Sequence, residues 1–327
     1  MEYLKPHLSI DQQVELLTQR GLAADADLLA SRLKSVGYYR FSAYLHPFRM
    51  RAPEGQLMEH FVPGTTLEKV WEYYLFDRKL RFLMMDAIER IEVALRSHIS
   101  FHHTAGQSPF AYASASYFPA WKGYIQNLER VHISKNKSGN LIPSGKDYVD
   151  HFFNTYGDQH DYLPLWMAVG EMEFGTLVYF YTHSDKAIRK AIASEWKTDT
   201  ATLDSWLNSL RVLRNDCAHH ARIWNKTFLS SPRMHNTPAL PWNYVYSEKA
   251  LKWVKPTASL AGSGSLREAR SSIAPLLYIC RYLLRQIAPT SKWHLRVQDC
   301  LFAAQQKGIN LNKMGLPEHW SLHPMWV

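Results

Sequence analysis

Between Leu210 and Asn225 the chain reads LRVLRNDCAHHARIWN, which places Arg214, Asn215, His219 and His220 within seven residues. A guanidinium grips phosphate oxygens with a fixed fork of donors, and imidazole moves protons near neutral pH, so this set suits phosphate chemistry without a metal. The spacing predicts a helix. On it Leu203, Trp206, Leu210, Leu213, Cys217, Ala221 and Trp224 form one apolar face, which His220 borders. His219 joins Arg211, Asn215 and Arg222 on a polar stripe, and Arg214 falls at the apolar edge. Arg214 and His219 then stand about 140° apart, so one copy does not aim both at the same atom. Either the helix breaks near Asn215-Asp216, both good capping residues, or a second copy completes the site across a two-fold axis. We favour the two-fold arrangement.

The elements that must hold this stretch are read as helices throughout, with no convincing strand alternation. Ser9 to Gln12 reads as a capping box opening a helix that stops at Gly21, and a second helix runs from about Ala24 to Val36. Tyr38 to Tyr44 interleaves aromatic rings with Arg40; packing into the core is favoured over a base-stacking platform. Thr65 with Glu68 is a second capping box and opens the longest periodic segment, Thr66 to His103, expected to bend or break because of its length. Its polar face carries Arg78, Arg81, Glu89, Glu92 and Arg96, and His102-His103 read as favourable charge at its C-terminus. Further helices are expected over Ala120–Ile133, Tyr148–Tyr156, Leu165–His183, Ala187–Trp196, Leu266–Ile287 with a kink at Pro275, and Trp293–Gln306. Thr200 or Thr202 is expected to cap the Arg214 helix, and the apolar tail from Asn310 to Val327 to dock on the body. Breaks at Ser230–Pro241 and Ser259–Ser265 bound three regions: an N-terminal helical region (1–62), a core with the motif (63–229), and a C-terminal helical region with its tail (230–327).

Composition narrows the function classes. In 327 residues no run of about 18 apolar residues occurs, so no membrane span is expected, and the N-terminus lacks an export pattern, which makes the cytoplasm the expected location. Cys217, Cys280 and Cys300 are widely separated, with no C-x-x-C; neither a disulfide framework, nor a zinc site, nor any cofactor is expected. A net charge of +9 points to a polyanionic partner, nucleic acid before lipid.

The motif also carries a resemblance. Arg214-Asn215-Asp216-Cys217-Ala218-His219 is similar to the Arg-x(4–6)-His signature of HEPN-domain ribonucleases. Leu213 to Asn225 as a whole resembles the central motif of the Abi-like bacterial abortive-infection proteins, the AbiD/AbiF group. Other segments agree in order: Lys5-Pro6 to Gly21-Leu22, Gly37 to Tyr44, Asp77 to Arg81, Ile91-Glu92 to Leu95-Arg96, Glu173 to Leu177, and Met314 to Pro317 with Trp320. The resemblance implies an all-α fold, a HEPN-like helical bundle with extra N- and C-terminal helices. It also implies metal-independent RNA cleavage by a homodimer with a composite site, and a role in phage defence or as a toxin restrained by an RNA or protein antitoxin. Arg214 and His219 would then act on phosphate and proton, Asn215 would fix backbone or tautomer, and His220 ranks second as the working histidine. Arg211, Arg222, Arg78 and Arg81 are the expected RNA contacts, with Glu92 and Arg96 in support. The rival reading is a non-catalytic RNA- or protein-binding module.

Overall fold

The computed structural model describes residues 6–118, 131–229, 231–234, 236–237, 240–241, 245–247, 251–254 and 271–326. The helix expected over Ala120–Ile133 and the break at Ser259–Ser265 fall mostly or wholly outside them. The fold is all-α. Its helices are α1 (Ile10–Gln19), α2 (Ala26–Val36), α3 (Tyr38–Leu45), α4 (Leu67–Thr104), α5 (Asp147–Tyr156), α6 (Leu165–Glu171), α7 (Phe174–His183), α8 (Lys186–Glu195), α9 (Thr200–Ala218), α10 (Ala274–Ile287) and α11 (Trp293–Gln306). A short antiparallel hairpin, β1 (Arg49–Arg51) with β2 (Leu57–Phe61), joins α3 to α4, where no strand had been expected. Further two- and three-residue strand pairs lie between residues 236 and 254.

Seven of the other helices are arranged around α4. It runs unbroken for 38 residues, roughly 57 Å, and packs against α3, α6, α7, α8, α9, α10 and α11. Its cap is Thr66, whose hydroxyl accepts from the Lys69 amide, one residue later than the sequence pattern had placed it. Thr65 instead donates to the Val62 carbonyl. Val70, Leu80, Met84, Ala87, Ile88, Ile91, Leu95 and Ile99 are buried at the centre of the core. The break that the length of α4 had suggested does not occur.

The segment read as one helix over Leu165–His183 is two, broken at Met172-Glu173. Arg96 explains the break: it bonds Glu92 one turn back on α4 and donates to the carbonyls of Val169 and, at 2.8 Å, Met172, satisfying the end of α6. The Glu171 side chain, only 1% exposed, takes Lys146 and the Tyr148 hydroxyl as partners, while Glu173 is exposed as the cap of α7. Pro275 sits in the first turn of α10, where proline costs no hydrogen bond, and introduces no kink. The C-terminal helices are tied to α4 by Arg296–Asp86, by Lys307–Glu72 and by the Trp293 indole donating to the Leu83 carbonyl at 2.7 Å. The tail docks as expected, burying Met314, Leu316, Trp320, Met325 and Trp326.

His103 corrects the reading of His102-His103 as favourable charge at the α4 C-terminus. It is 2% exposed, with Nε2 2.8 Å from the Ser184 hydroxyl, and burial, with the nearby His102, pulls its pKa from 6.5 down to about 4. A depressed folded pKa means the unfolded chain takes the proton first. Its contribution is complete above pH 6.5 and is lost as pH falls toward 4, about 3 kcal/mol in all. In urea titrations across that window, His103→Gln is expected to flatten the acid slope.

Candidate functional site

α9 is capped by Asp199, not by Thr200 or Thr202: its carboxylate accepts from the Thr202 amide at 2.9 Å and the Thr202 hydroxyl at 2.7 Å. Leu203, Trp206, Leu207, Leu210, Leu213 and Cys217 are buried, and burial pushes the Cys217 thiol up to about 12, so it packs as an apolar group. The helix continues through Asn215-Asp216 without a break and stops at Ala218, well short of Asn225. His219 is the C-cap and His220 takes the left-handed conformation, φ 58°. The Ala221 amide bonds the Asp216 carbonyl at 2.7 Å and the His220 amide the Cys217 carbonyl at 3.0 Å, the paired bonds of a Schellman stop. Two expectations fall with this turn. Ala221 and Trp224 are not on the helix, Trp224 being buried instead by packing edge-on to Tyr73 at 4.7 Å; and His220, expected beside the core, is exposed.

Glycine is the usual residue where φ is positive, and histidine there costs roughly 1 kcal/mol. His220→Gly is therefore expected to raise the unfolding free energy by about that amount in urea titrations. It also removes the second imidazole without disturbing the first.

What holds the turn is a buried network that sequence reasoning did not find. Asp77 of α4 is fully buried and accepts from the Tyr44 hydroxyl at 2.6 Å, from Arg81, and from the amides of Ile223 and Trp224 at 3.1 and 2.7 Å. Arg81 also donates to the Tyr44 oxygen at 3.2 Å and to the Ala221 carbonyl at 3.4 Å. Burial raises the Asp77 pKa against the lowering pull of Arg81, Tyr44 and the two amides, and burial first, then the Asp77 charge, raises that of Tyr44. Arg40 of α3 donates to the His220 carbonyl, and Lys226 pairs with Asp216 at 2.7 Å. The available signal was an acidic residue on the apolar stripe Tyr73, Asp77, Leu80, Met84, where an unpartnered charge is too costly to persist.

This network reassigns some of the expected RNA contacts. Arg81 is 6% exposed and committed to Asp77, so it is not available to a ligand. Arg222 donates to the Ala43 carbonyl and, at 3.2 Å, to that of Asn225, and its burial lowers its pKa; it braces the turn against α3. Arg78 is exposed, its guanidinium 5.4 Å from the centre of the Phe82 ring. Arg211 is half-exposed and bonds Asn208 at 2.9 Å. Glu92 and Arg96 stand at the α6–α7 break and do not touch the turn.

Among the described residues, the side chains of Arg214, Asn215, His219 and His220 have no hydrogen-bond or ion-pair partner. Asn215 and His219 are exposed and Arg214 half-exposed. Because α9 is helical up to Ala218, Arg214 and His219 keep their angular separation of about 140°. Asn208, Arg211, Asn215 and His219 form a continuous polar stripe, and its upstream end borders a groove of about 640 Å³ between α7 and α9. Glu173, Gly175, Tyr179, Asp204, Asn208 and Arg211 line that groove. A Cβ on Gly175 would meet Arg211 Cδ at 3.7 Å, ordinary contact, so the glycine is not required for helix packing.

The model of one protein family, described as Abi-like protein, matches residues 31–225, more than half the chain, from the middle of α2 through α4 to the turn after α9. The chain belongs to the Abi-like family. No curated protein and no solved structure matches it. For this Abi-like protein, membership supplies a connection with abortive infection, a form of phage defence. No described helix is long and apolar enough to cross a membrane.

Proposed function

We propose that this Abi-like protein is an endoribonuclease of the HEPN type, acting in phage defence as an abortive-infection effector or a toxin under the restraint of an RNA or protein antitoxin. The observation that supports this best is the contrast at the end of α9. The turn's backbone is locked by Asp77, Arg40 and Arg222, while the side chains of Arg214, Asn215 and His219 have no partner among the described residues. A rigid backbone presenting free polar side chains is the arrangement expected of groups that act on something else.

The chemistry fits RNA. Attack by the 2′-hydroxyl on the adjacent phosphorus needs a base for its proton, an acid for the leaving 5′-oxygen and cationic donors for the charge that gathers on the phosphate. His219 serves proton transfer, Arg214 the phosphate, and the stripe from Asn208 through Arg211 guides the strand. Two copies related by a two-fold axis answer the separation of Arg214 from His219: each site pairs the arginine of one chain with the histidine of the other, and that imidazole passes the proton it takes from the 2′-hydroxyl to the leaving 5′-oxygen. No step calls for a metal, and the 2′-hydroxyl restricts the reaction to RNA. Purified protein is expected to cut RNA in the presence of EDTA and leave 2′,3′-cyclic phosphate ends. Inactivity on varied RNAs, or undiminished cleavage by the His219→Ala/His220→Ala protein, counts against the reading.

A further inference from the structure

At the other end of α4, about 30 Å along the helix from Asp77 and Arg81, three side chains of metal-ligand type converge. His98 and His102 lie four residues apart on α4, hence on one face, and Glu195 is the last residue of α8. Glu195 Oε2 is 2.5 Å from His98 Nδ1 and its Oε1 3.0 Å from His102 Nε2. One ligand atom from each residue lies within 4.8 Å of the others. The imidazole rings are nearly parallel, 12° between planes with centres 6.5 Å apart, and His98 is packed edge-on against the buried Trp196 at 5.6 Å. Protein thus encloses one side of the cluster, and Glu195, 44% exposed, opens the other to water.

We propose that His98, His102 and Glu195 bind a divalent transition-metal cation of the zinc class, with water in the fourth position, and that the ion pins the end of α8 to α4. A metal about 2.0–2.2 Å from two imidazole nitrogens and a carboxylate oxygen sets those atoms roughly 3–4 Å apart, so small side-chain rotations suffice. Two imidazoles with one carboxylate select zinc, cobalt, nickel or copper over magnesium and calcium, which prefer oxygen. Without an ion, a single carboxylate faces two imidazoles; with one, the ring nitrogens and the carboxylate share a single centre. His98 and His102 are on α4 but Glu195 is 93 residues further on, and this is why no motif appears in the sequence. The site is separate from Arg214 and His219 and does not depend on the ribonuclease reading.

The test uses the full chain, stripped with EDTA and dialysed, with Zn²⁺ titrated by calorimetry and by thermal melting. Saturable binding of one Zn²⁺ with a rise in Tm is expected, with no rise on adding Mg²⁺, and Co²⁺ should give the strong visible bands of a low-coordinate site. His102→Ala and Glu195→Gln are each expected to weaken Zn²⁺ binding by at least about a hundredfold. Glu195→Gln is close to isosteric and half-exposed, so it reports on the site even if His102→Ala folds poorly, and His183→Ala should bind as the unaltered chain does. Equal Zn²⁺ affinity in the unaltered chain and Glu195→Gln, or no saturable Zn²⁺ binding at all, overturns the proposal.

Discussion

Replacing Asp77 with alanine is expected to lower the unfolding free energy by about 3–5 kcal/mol, a large share of what a natural chain commands. The carboxylate is completely buried and is shared by Tyr44, Arg81 and two backbone amides from the turn after α9. Removing it leaves the Arg81 guanidinium, itself 6% exposed, as an uncompensated charge, and leaves the Ile223 and Trp224 amides without an acceptor. Arg81→Ala should be similarly costly because it strands Asp77. The double replacement should cost less than the sum of the two, since no lone charge is left. Urea titration of the three variants checks this. A loss below about 1 kcal/mol for Asp77→Ala would mean that the network is not what positions the turn. Because Arg81 also reaches the Ala221 carbonyl and Arg40 the His220 carbonyl, loosening of the turn should free the segment that presents His219 before the rest of the core yields.

The same network marks where sequence reasoning stopped. Helix identity was legible because it rests on periodicity: α4 was expected over Thr66–His103 and is Leu67–Thr104, and α11 was expected and found over Trp293–Gln306. The Ser9–Gln12 capping box was legible because both of its bonds are local, at 3.2 and 2.8 Å. The end of α9 was not. Its stop uses histidine where glycine would have announced the turn, and the residues beyond it keep a helical apolar spacing by coincidence, Trp224 being buried through Tyr73 instead. Nor was the role of Asp77 legible, since apart from Arg81 one turn on, its partners lie 33 residues before it and 146 to 147 after it. Arg81 and Arg222 were read by their charge, but a cation's availability depends on what the fold sets beside it. Here that is a buried carboxylate for one and the Ala43 carbonyl for the other. The break at Met172-Glu173 was hidden for a similar reason, because the Arg96 that satisfies the carbonyls comes from a different helix. Arg214, Asn215 and His219 were picked out from type, spacing and the resemblance of their motif, and that their side chains have no partner among the described residues is a property of three dimensions.

Mixing two inactive variants is expected to restore activity if Arg214 and His219 act across a two-fold axis. Each of Arg214→Ala and His219→Ala alone should reduce RNA cleavage by about 10²–10⁴-fold, with stability changed by no more than about 0.5 kcal/mol, because neither side chain has a partner to lose among the described residues. In a co-refolded equimolar mixture half of the dimers carry one chain of each kind. If the arginine of one chain works with the histidine of the other, every mixed dimer has one intact pair and one doubly defective pair, so cleavage should return to about a quarter of the unaltered level. A site contained within one chain has no such recovery, since each copy lacks one of its two groups. The His220→Gly chain supplies the matching control: with the turn kept and the second imidazole gone, full cleavage assigns proton transfer to His219, whereas a collapse of activity transfers it to His220. Mixed dimers that form and stay inactive would rule out the composite site. They would then require Arg214 and His219 to meet through a rearrangement of the last turn of α9, which the Schellman bonds at 2.7 and 3.0 Å and the Arg40 contact with the His220 carbonyl oppose.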